Sequence, residues 1–152
     1  AGKSTLAKRL AGRLQAQLVQ TDDFAAWDNA LDWAPRLLAQ VLKPLNANTS
    51  GRYQRYDWGK KTLAEWHNVP AQPVVVLEGV SATRAAFRPM LAFRIFVDAP
   101  KEVRLARGLA RDGAEALSLW EGWQAEEDAY LARETPMNFA DIILDGTQAI
   151  SD

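Results

Sequence analysis

The chain has 152 residues, 48% of them hydrophobic and 24% charged, which are ordinary values for one globular domain and do not indicate disorder. Its 18 basic and 19 acidic residues give a net charge of −1, so the overall charge offers no reason to expect a nucleic acid or an anionic membrane as partner. Because there is no cysteine and only one histidine, disulfides, thiolate metal sites and histidine-rich zinc sites are excluded.

The first residues, AGKST, match the end of the phosphate-binding Walker A motif G-x-x-x-x-G-K-[ST]. In this motif Gly2 lets a phosphate approach the backbone, Lys3 reaches the β- and γ-phosphates, and the Ser4 hydroxyl coordinates Mg²⁺. A leucine at every fourth position predicts a helix over residues 4–17 behind the loop. The alternative is that Ser4 or Thr5 only caps this helix.

Two predicted strands end in acidic residues. The step at 18–20 leads to Asp22, and the β-branched run at 73–77 leads to Glu78. Since the carboxyl ends of parallel strands meet at one edge of an α/β sheet, we expect both side chains near the phosphate motif. We predict that Glu78 contributes with Ser4 to a magnesium site and that Asp22 accepts the proton of an attacking hydroxyl. The alternatives are a solvated strand end for Glu78 and a helix cap or turn acid for Asp22.

The rest of the chain continues the alternation of helices and strands. The remaining predicted elements are a helix at 31–42, a turn at 46–51, a short helix at 62–67, a strand at 93–97, helices at about 101–111 and 115–133, and a strand at 142–144. Strands that alternate with helices indicate an α/β sheet with right-handed crossovers. No repeat or linker interrupts the pattern, so we predict one domain.

The helix after the strand at 93–97 carries a basic face. Arg104, Arg107 and Arg111 follow one another at intervals of three and four residues and therefore share one side of the helix. Guanidinium groups match phosphate geometry, so this face could clamp transferring phosphates as a lid. The alternative is a solvated face whose arginines pair with Glu102 or Glu115.

Six tryptophans are many for a chain of this length. We predict that Trp27 and Trp58, which lie beside Asp28 and Asp57, line a substrate pocket where they stack on a planar base or cover a sugar. For the tryptophans at positions 66, 120 and 123 we favour packing of helices on the sheet.

The motifs, in this order, resemble the uridine kinase branch of the P-loop kinases, relatives of phosphoribulokinase and pantothenate kinase. The matching segments are AGKST at 1–5, DDF at 22–24, YDW at 56–58, LEGV at 77–80, IFVDAP at 95–100 running to RD at 111–112, and ADII at 140–143. The resemblance spans nearly the whole chain. It implies the P-loop nucleoside triphosphate hydrolase fold, a parallel sheet with helices on both faces and a small helical lid at about 101–133.

The same resemblance implies a role for each matching residue. Asp22 would be the base toward the acceptor hydroxyl, Lys3 and Ser4 would handle phosphate and magnesium, and Glu78 would be the second acid near the metal. Arg107 and Arg111 would be lid arginines over the phosphates. Asp28 would hold ribose hydroxyls, and Tyr56 would line the nucleoside pocket.

The predicted function is transfer of the γ-phosphoryl group of ATP, with Mg²⁺, to a hydroxyl of a nucleoside-like acceptor. One alternative is a P-loop kinase for pantothenate or a sugar-like metabolite, and another is a non-catalytic ATP-binding regulatory module. A GTPase is disfavoured because the chain has no N-K-x-D sequence.

We expect ATP and a small hydroxyl-bearing substrate as partners, neither nucleic acid nor membrane, and compatibility with a homo-oligomer. No apolar run approaches the roughly 18 residues of a membrane span, and we expect a cytoplasmic protein.

P-loop kinases carry a central strand before the Walker A loop, and the given sequence has none before Ala1. We therefore expect the natural chain to have about 10 to 25 more residues at its amino end, one strand plus the first half of the loop. Without that strand, the strands at 18–20 and 73–77 would expose edges within the domain.

Overall fold

A computed structural model gives the fold of residues 2–26, 28–29 and 31–148, which combines helices with six short strands, four of them consecutive along the chain. The first half contains α1 (Lys3–Leu14), β1 (Gln17–Gln20), α2 (Ala34–Leu37), α3 (Lys43–Asn46), β2 (Gly51–Asp57) and β3 (Thr62–Val69). The second half contains β4 (Val75–Glu78), β5 (Ile95–Asp98), α4 (Lys101–Asp112), α5 (Leu117–Glu134) and β6 (Ile142–Asp145). The predicted α/β class is confirmed. Among the described residues, no helix is long and apolar enough to cross a bilayer.

The strands form three pairs. β1 lies parallel to β4, with Gln20 opposite Glu78 at their carboxyl ends. β5 lies parallel to β6, with Asp98 opposite Asp145, and β2 with β3 forms an antiparallel hairpin. Because β1 and β4 end in register, the residues that follow them emerge side by side next to the start of α1.

An apolar groove of about 830 Å³ runs along β4 and β5, and α1 lines one of its sides. Within residues 2–148, leaving out positions 27 and 30, β4 pairs only with β1 and β5 only with β6. The large apolar side chains of Val74 and Phe93 are exposed at this groove.

The prediction of a short helix at 62–67 is wrong. These residues belong to β3, which pairs with β2 from Gly51↔Val69 to Asp57↔Thr62. The Asp57 carboxylate accepts hydrogen bonds from the backbone N–H groups of Gly59 (3.0 Å) and Lys60 (2.9 Å), so this side chain fixes the turn of the hairpin. Pairing with β2 therefore overrides the helical spacing of a few apolar residues in this segment.

The main buried core lies between β1, the helical segment from α2 to α3 and the hairpin. Residues 38–42 join the two short helices by a π-helical turn, and Leu37 and Val41 are buried there. Arg36 extends from this segment over the Phe24 ring, 4.8 Å from its centroid, and its Nη2 donates to the Asp23 carbonyl at 3.1 Å. Arg36 therefore fixes the position of the chain immediately after β1.

Candidate active site

A cavity of about 730 Å³ opens where the start of α1, the ends of β1 and β4, and the α4–α5 pair converge. The predicted site residues that line it are Gly2, Lys3, Ser4, Thr5, Asp22, Trp58, Glu78, Arg107 and Arg111. Asp28 and Tyr56 do not line it, and Trp27 lies outside the described residues. The fold thus gathers segments more than a hundred residues apart in sequence around one space.

The amino end of α1 lines one side of this cavity. Gly2 has φ 84° and ψ −1°, a left-handed conformation that costs glycine little, and no described side chain caps the helix. The first N–H groups of an uncapped helix carry partial positive charge and have no partner within the helix. With the Lys3 ammonium beside them, they form a site that attracts an anionic group such as a phosphate.

Glu78 closes the cavity at the end of β4, where its side chain is 8% exposed. Its Oε1 accepts a hydrogen bond from Ser4 Oγ at 3.1 Å, and its Oε2 accepts one from Gln20 Nε2 at 3.1 Å. A hydroxyl and a carboxylate are hard oxygen donors of the kind that Mg²⁺ prefers. In the described part of the chain no group of three or more acidic or histidine side chains could hold a metal by itself, so further ligands would come from phosphates and water.

Gly79, next to Glu78, has φ +143°, and a Cβ built on it would lie 1.8 Å from Thr21 Oγ1. We expect Gly79→Ala to lower the free energy of unfolding by about 2 to 4 kcal/mol, because it combines an overpacked contact with an unfavourable backbone conformation. Urea denaturation measures the change. The matched control is Gly12→Ala in α1, where a Cβ has nothing within 4 Å and should raise stability by about 0.5 to 1 kcal/mol. Equal effects of the two substitutions would contradict the argument.

Asp22 reaches the cavity because its neighbours are anchored. Trp58 Nε1 donates to the Asp22 carbonyl at 3.0 Å, and the Tyr53 hydroxyl donates to Asp23 Oδ2 at 2.6 Å. Burial, followed by the hydrogen bond to Asp23, raises the pKa of Tyr53, so this hydroxyl keeps its proton. The two adjacent aspartates therefore have different surroundings. Asp23 is hydrogen-bonded to the hairpin, and the Asp22 side chain lines the cavity.

The electrostatic surroundings make Asp22 a stronger base than an ordinary aspartate. Loss of hydration in the cavity raises the pKa of its carboxyl, and the nearby Glu78 carboxylate raises this pKa further. Lys3 and Arg111 act in the opposite direction and favour the ionised form. A carboxylate of raised pKa that remains close to two cations is suited to accept a proton from a hydroxyl.

The three arginines of α4 line the cavity, as their helical spacing predicts. Arg107 Nη1 donates to the Gly146 carbonyl at 2.6 Å, while Arg111 donates to Asp112 through Nε at 2.7 Å and Nη2 at 2.8 Å. Arg104 pairs with Glu127 of α5. The alternative pairing with Glu102 or Glu115 is not observed for these described side chains.

Comparison with known proteins assigns the chain to a family. A family model described as "Phosphoribulokinase / Uridine kinase family" matches residues 23–122, about two thirds of the chain. The chain belongs to this family. The matched range excludes the phosphate motif and Asp22, so the arrangement of those residues is known from the structure alone. A comparison with curated proteins finds no match.

A solved structure has the same fold as this kinase-family chain. "Structure of a Possible Uridine Kinase from Bacillus stearothermophilus" aligns with a TM-score of 0.71 and 23% sequence identity. The alignment covers 95% of this chain and 82% of that chain. The likeness confirms the fold over nearly the whole sequence.

In this kinase-family protein Trp58 lines the cavity as predicted, whereas the tryptophans at positions 66, 120 and 123 are placed differently from the sequence prediction. Trp120 and Trp123 on α5 pack within the molecule and also line the cavity, and Trp123 lies 5.7 Å from Trp58 between ring centroids. Trp120 packs on Gly108 and donates from Nε1 to Asp112 Oδ2 at 3.0 Å. Trp66 is exposed on the hairpin, where it packs under the Arg52 guanidinium rather than between a helix and the sheet.

Two further parts of the site are missing from the sequence predictions. Gly146 and Gln148, which follow β6, line the cavity. The rule that ligands bind at the carboxyl ends of parallel strands, applied to the last strand as well as the first ones, would have indicated them. Gln20 also was not predicted, because a glutamine at a strand end carries no motif of its own.

Proposed function

We propose that the protein transfers the γ-phosphoryl group of ATP to a hydroxyl group of a nucleoside-like acceptor. One observation carries the proposal: a single cavity joins the phosphate motif, the carboxylates of Asp22 and Glu78, and the arginines of α4. Phosphoryl transfer requires little covalent chemistry from a protein and depends on position and charge neutralisation, which these groups can supply.

In the proposed reaction the triphosphate lies against the amino end of α1 and Lys3. Asp22 accepts the proton of the acceptor hydroxyl while the oxygen of that hydroxyl forms a bond to the γ-phosphorus. At the same time the bond from the γ-phosphorus to the bridging oxygen breaks, and ADP leaves. Arg107 and Arg111 would leave their present partners and face the transferring phosphoryl group, so that α4 and α5 act as a lid.

Magnesium fits the same arrangement. The Ser4 hydroxyl would be a direct ligand, and Glu78 would bind the ion or a water on it, since their oxygens lie 3.1 Å apart. When bound there, Mg²⁺ would supply positive charge that neutralises the negative charge developing on the phosphates during transfer.

The nucleoside-like acceptor is supported by the aromatic side chains that line the cavity. Trp58, Trp120 and Trp123 line the cavity on the side of the hairpin and α5, and such rings can stack on a planar base. Tyr56 lies edge-on behind Trp58 at 5.7 Å and would support it. Direct contact of Asp28 and Tyr56 with the substrate stays a prediction, since neither residue lines the cavity.

The deciding experiment measures ADP release from Mg-ATP with a panel of nucleosides, pantothenate and simple sugars as acceptors. We expect at least one nucleoside to stimulate ADP release, with transfer of labelled phosphate to its hydroxyl. Stimulation only by pantothenate or a sugar would replace the acceptor class and leave the kinase activity standing. ATP binding without stimulation by any acceptor would instead favour a non-catalytic regulatory module.

A further inference from the structure

We infer that Gln20 is a positioning residue for the metal site, an inference that rests on the proposed function. Gln20 ends β1 directly opposite Glu78 in the parallel register, so the two side chains leave the sheet next to each other. Gln20 Nε2 lies 3.1 Å from Glu78 Oε2 in a partly buried setting. Gln20 is not predicted from the sequence motifs, and it acts through Glu78.

The chemistry of the pair fixes which end of the amide faces the carboxylate. An ionised carboxylate is an acceptor only, whereas the amide carries both a donor and an acceptor. An amide oxygen beside Glu78 Oε2 would repel it, so the NH₂ group must point there. Glu78 is buried, and a buried carboxylate requires hydrogen-bond donors to remain charged in a defined orientation.

The second oxygen of Glu78 extends this arrangement to the predicted ligand. Ser4 Oγ donates its one proton to Glu78 Oε1, which leaves both lone pairs of the hydroxyl oxygen for a cation. Gln20 thus orients Glu78, and Glu78 orients Ser4. Partners of this kind around a metal commonly change its affinity 10- to 100-fold when they are removed.

Two substitutions remove the contact in different ways. Gln20→Met keeps the length of the side chain without a donor, and Gln20→Asn keeps the amide but is too short to reach Glu78. The matched control is Gln17→Met, the same change three residues earlier on β1, where the register partner is Val75. Each protein is studied by electron paramagnetic resonance of Mn²⁺ with ADP, by calorimetry of ADP binding in EDTA, and by thermal unfolding.

We expect both Gln20 variants to bind Mn²⁺ about tenfold more weakly in the ADP complex, with ADP binding in EDTA and thermal unfolding close to those of Gln17→Met. Unchanged Mn²⁺ affinity would overturn the inference. Equal losses in Mn²⁺ binding, in metal-free ADP binding and in thermal stability would also overturn it, because they indicate a structural role. If the unsubstituted protein binds neither ADP nor Mn²⁺, the proposed function fails first, and the role of Gln20 fails with it.

Discussion

Asp22→Asn is expected to lower kcat by about 10²- to 10⁴-fold and to leave the affinity for ATP nearly unchanged. The amide keeps the size of the side chain and cannot accept the proton of the acceptor hydroxyl, whereas the phosphate-binding groups on α1 are untouched. Steady-state turnover and calorimetric ATP binding, measured on the same preparation, separate the two effects.

The matched control for this variant is the neighbouring aspartate. Asp23 accepts a 2.6 Å hydrogen bond from the Tyr53 hydroxyl and anchors the loop to the hairpin. We expect Asp23→Asn to lower the free energy of unfolding by about 1 to 2 kcal/mol and to preserve most of the turnover. If Asp23→Asn abolished turnover while Asp22→Asn retained it, the roles of the two carboxylates would be reversed.

The pH dependence of turnover provides an independent check on Asp22. Since loss of hydration raises the pKa of this carboxyl, its base form becomes depleted at a higher pH than for an ordinary aspartate. The acidic limb of the kcat/KM profile, which reports groups of the free enzyme, should therefore lie above pH about 4, the usual aspartate range. A profile that is flat through this region would contradict a base role for Asp22.

The same shift predicts that Asp22 reduces stability at neutral pH. A carboxyl whose folded pKa is higher than its unfolded pKa favours folding below the unfolded value, and this contribution is lost as the pH rises through the folded value. Asp22→Asn has no such titration. Urea unfolding should therefore show the variant gaining on the unsubstituted protein between pH about 4 and pH 7.

The sequence is sufficient for the parts of the site that depend on strand ends and helix faces. Glu78 lies 3.1 Å from Ser4 because β4 ends beside the start of α1, and the rule that sites form at the carboxyl ends of parallel strands indicates this end of β4 without coordinates. Arg107 and Arg111 share the cavity because helical periodicity places them on one face. Local pattern and global topology agree at these positions, so the structure brings these side chains together around one cavity, and their roles stay predictions.

Predictions fail where the outcome depends on a distant partner. The segment at 62–67 has a spacing that suits a helix, yet β2 pairs with it and a side-chain cap at Asp57 turns the chain between them. Trp120 lines the cavity because it packs across to Gly108 on the neighbouring helix. No periodicity within α5 carries that information, since contacts between two helices depend on how they cross.

Lys3→Ala is expected to weaken both ATP binding and turnover. A charged donor to a phosphate contributes about 1.5 to 3 kcal/mol, which corresponds to a roughly 10- to 100-fold loss of ATP affinity. Lys3 lies close enough to Asp22 to lower the pKa of the Asp22 carboxyl, so removal of Lys3 should also move the acidic limb of the kcat/KM profile to higher pH. Calorimetric ATP binding and the pH profile of kcat/KM measure the two effects separately.

The control for Lys3 is Lys8→Ala on the exposed part of α1, which removes the same charge one and a half turns along the helix. If the loss of affinity came only from a less positive surface, both variants would weaken ATP binding to a similar extent. High salt would then remove the difference in ATP affinity between each variant and the unsubstituted protein. A local contact to phosphate predicts a large loss for Lys3→Ala alone, and this loss should persist at high ionic strength. Lys3 stands at the first helical position, and Asp22 lies just after β1. A shifted profile in Lys3→Ala alone would therefore also indicate that the proposed phosphate site and the proposed base interact electrostatically.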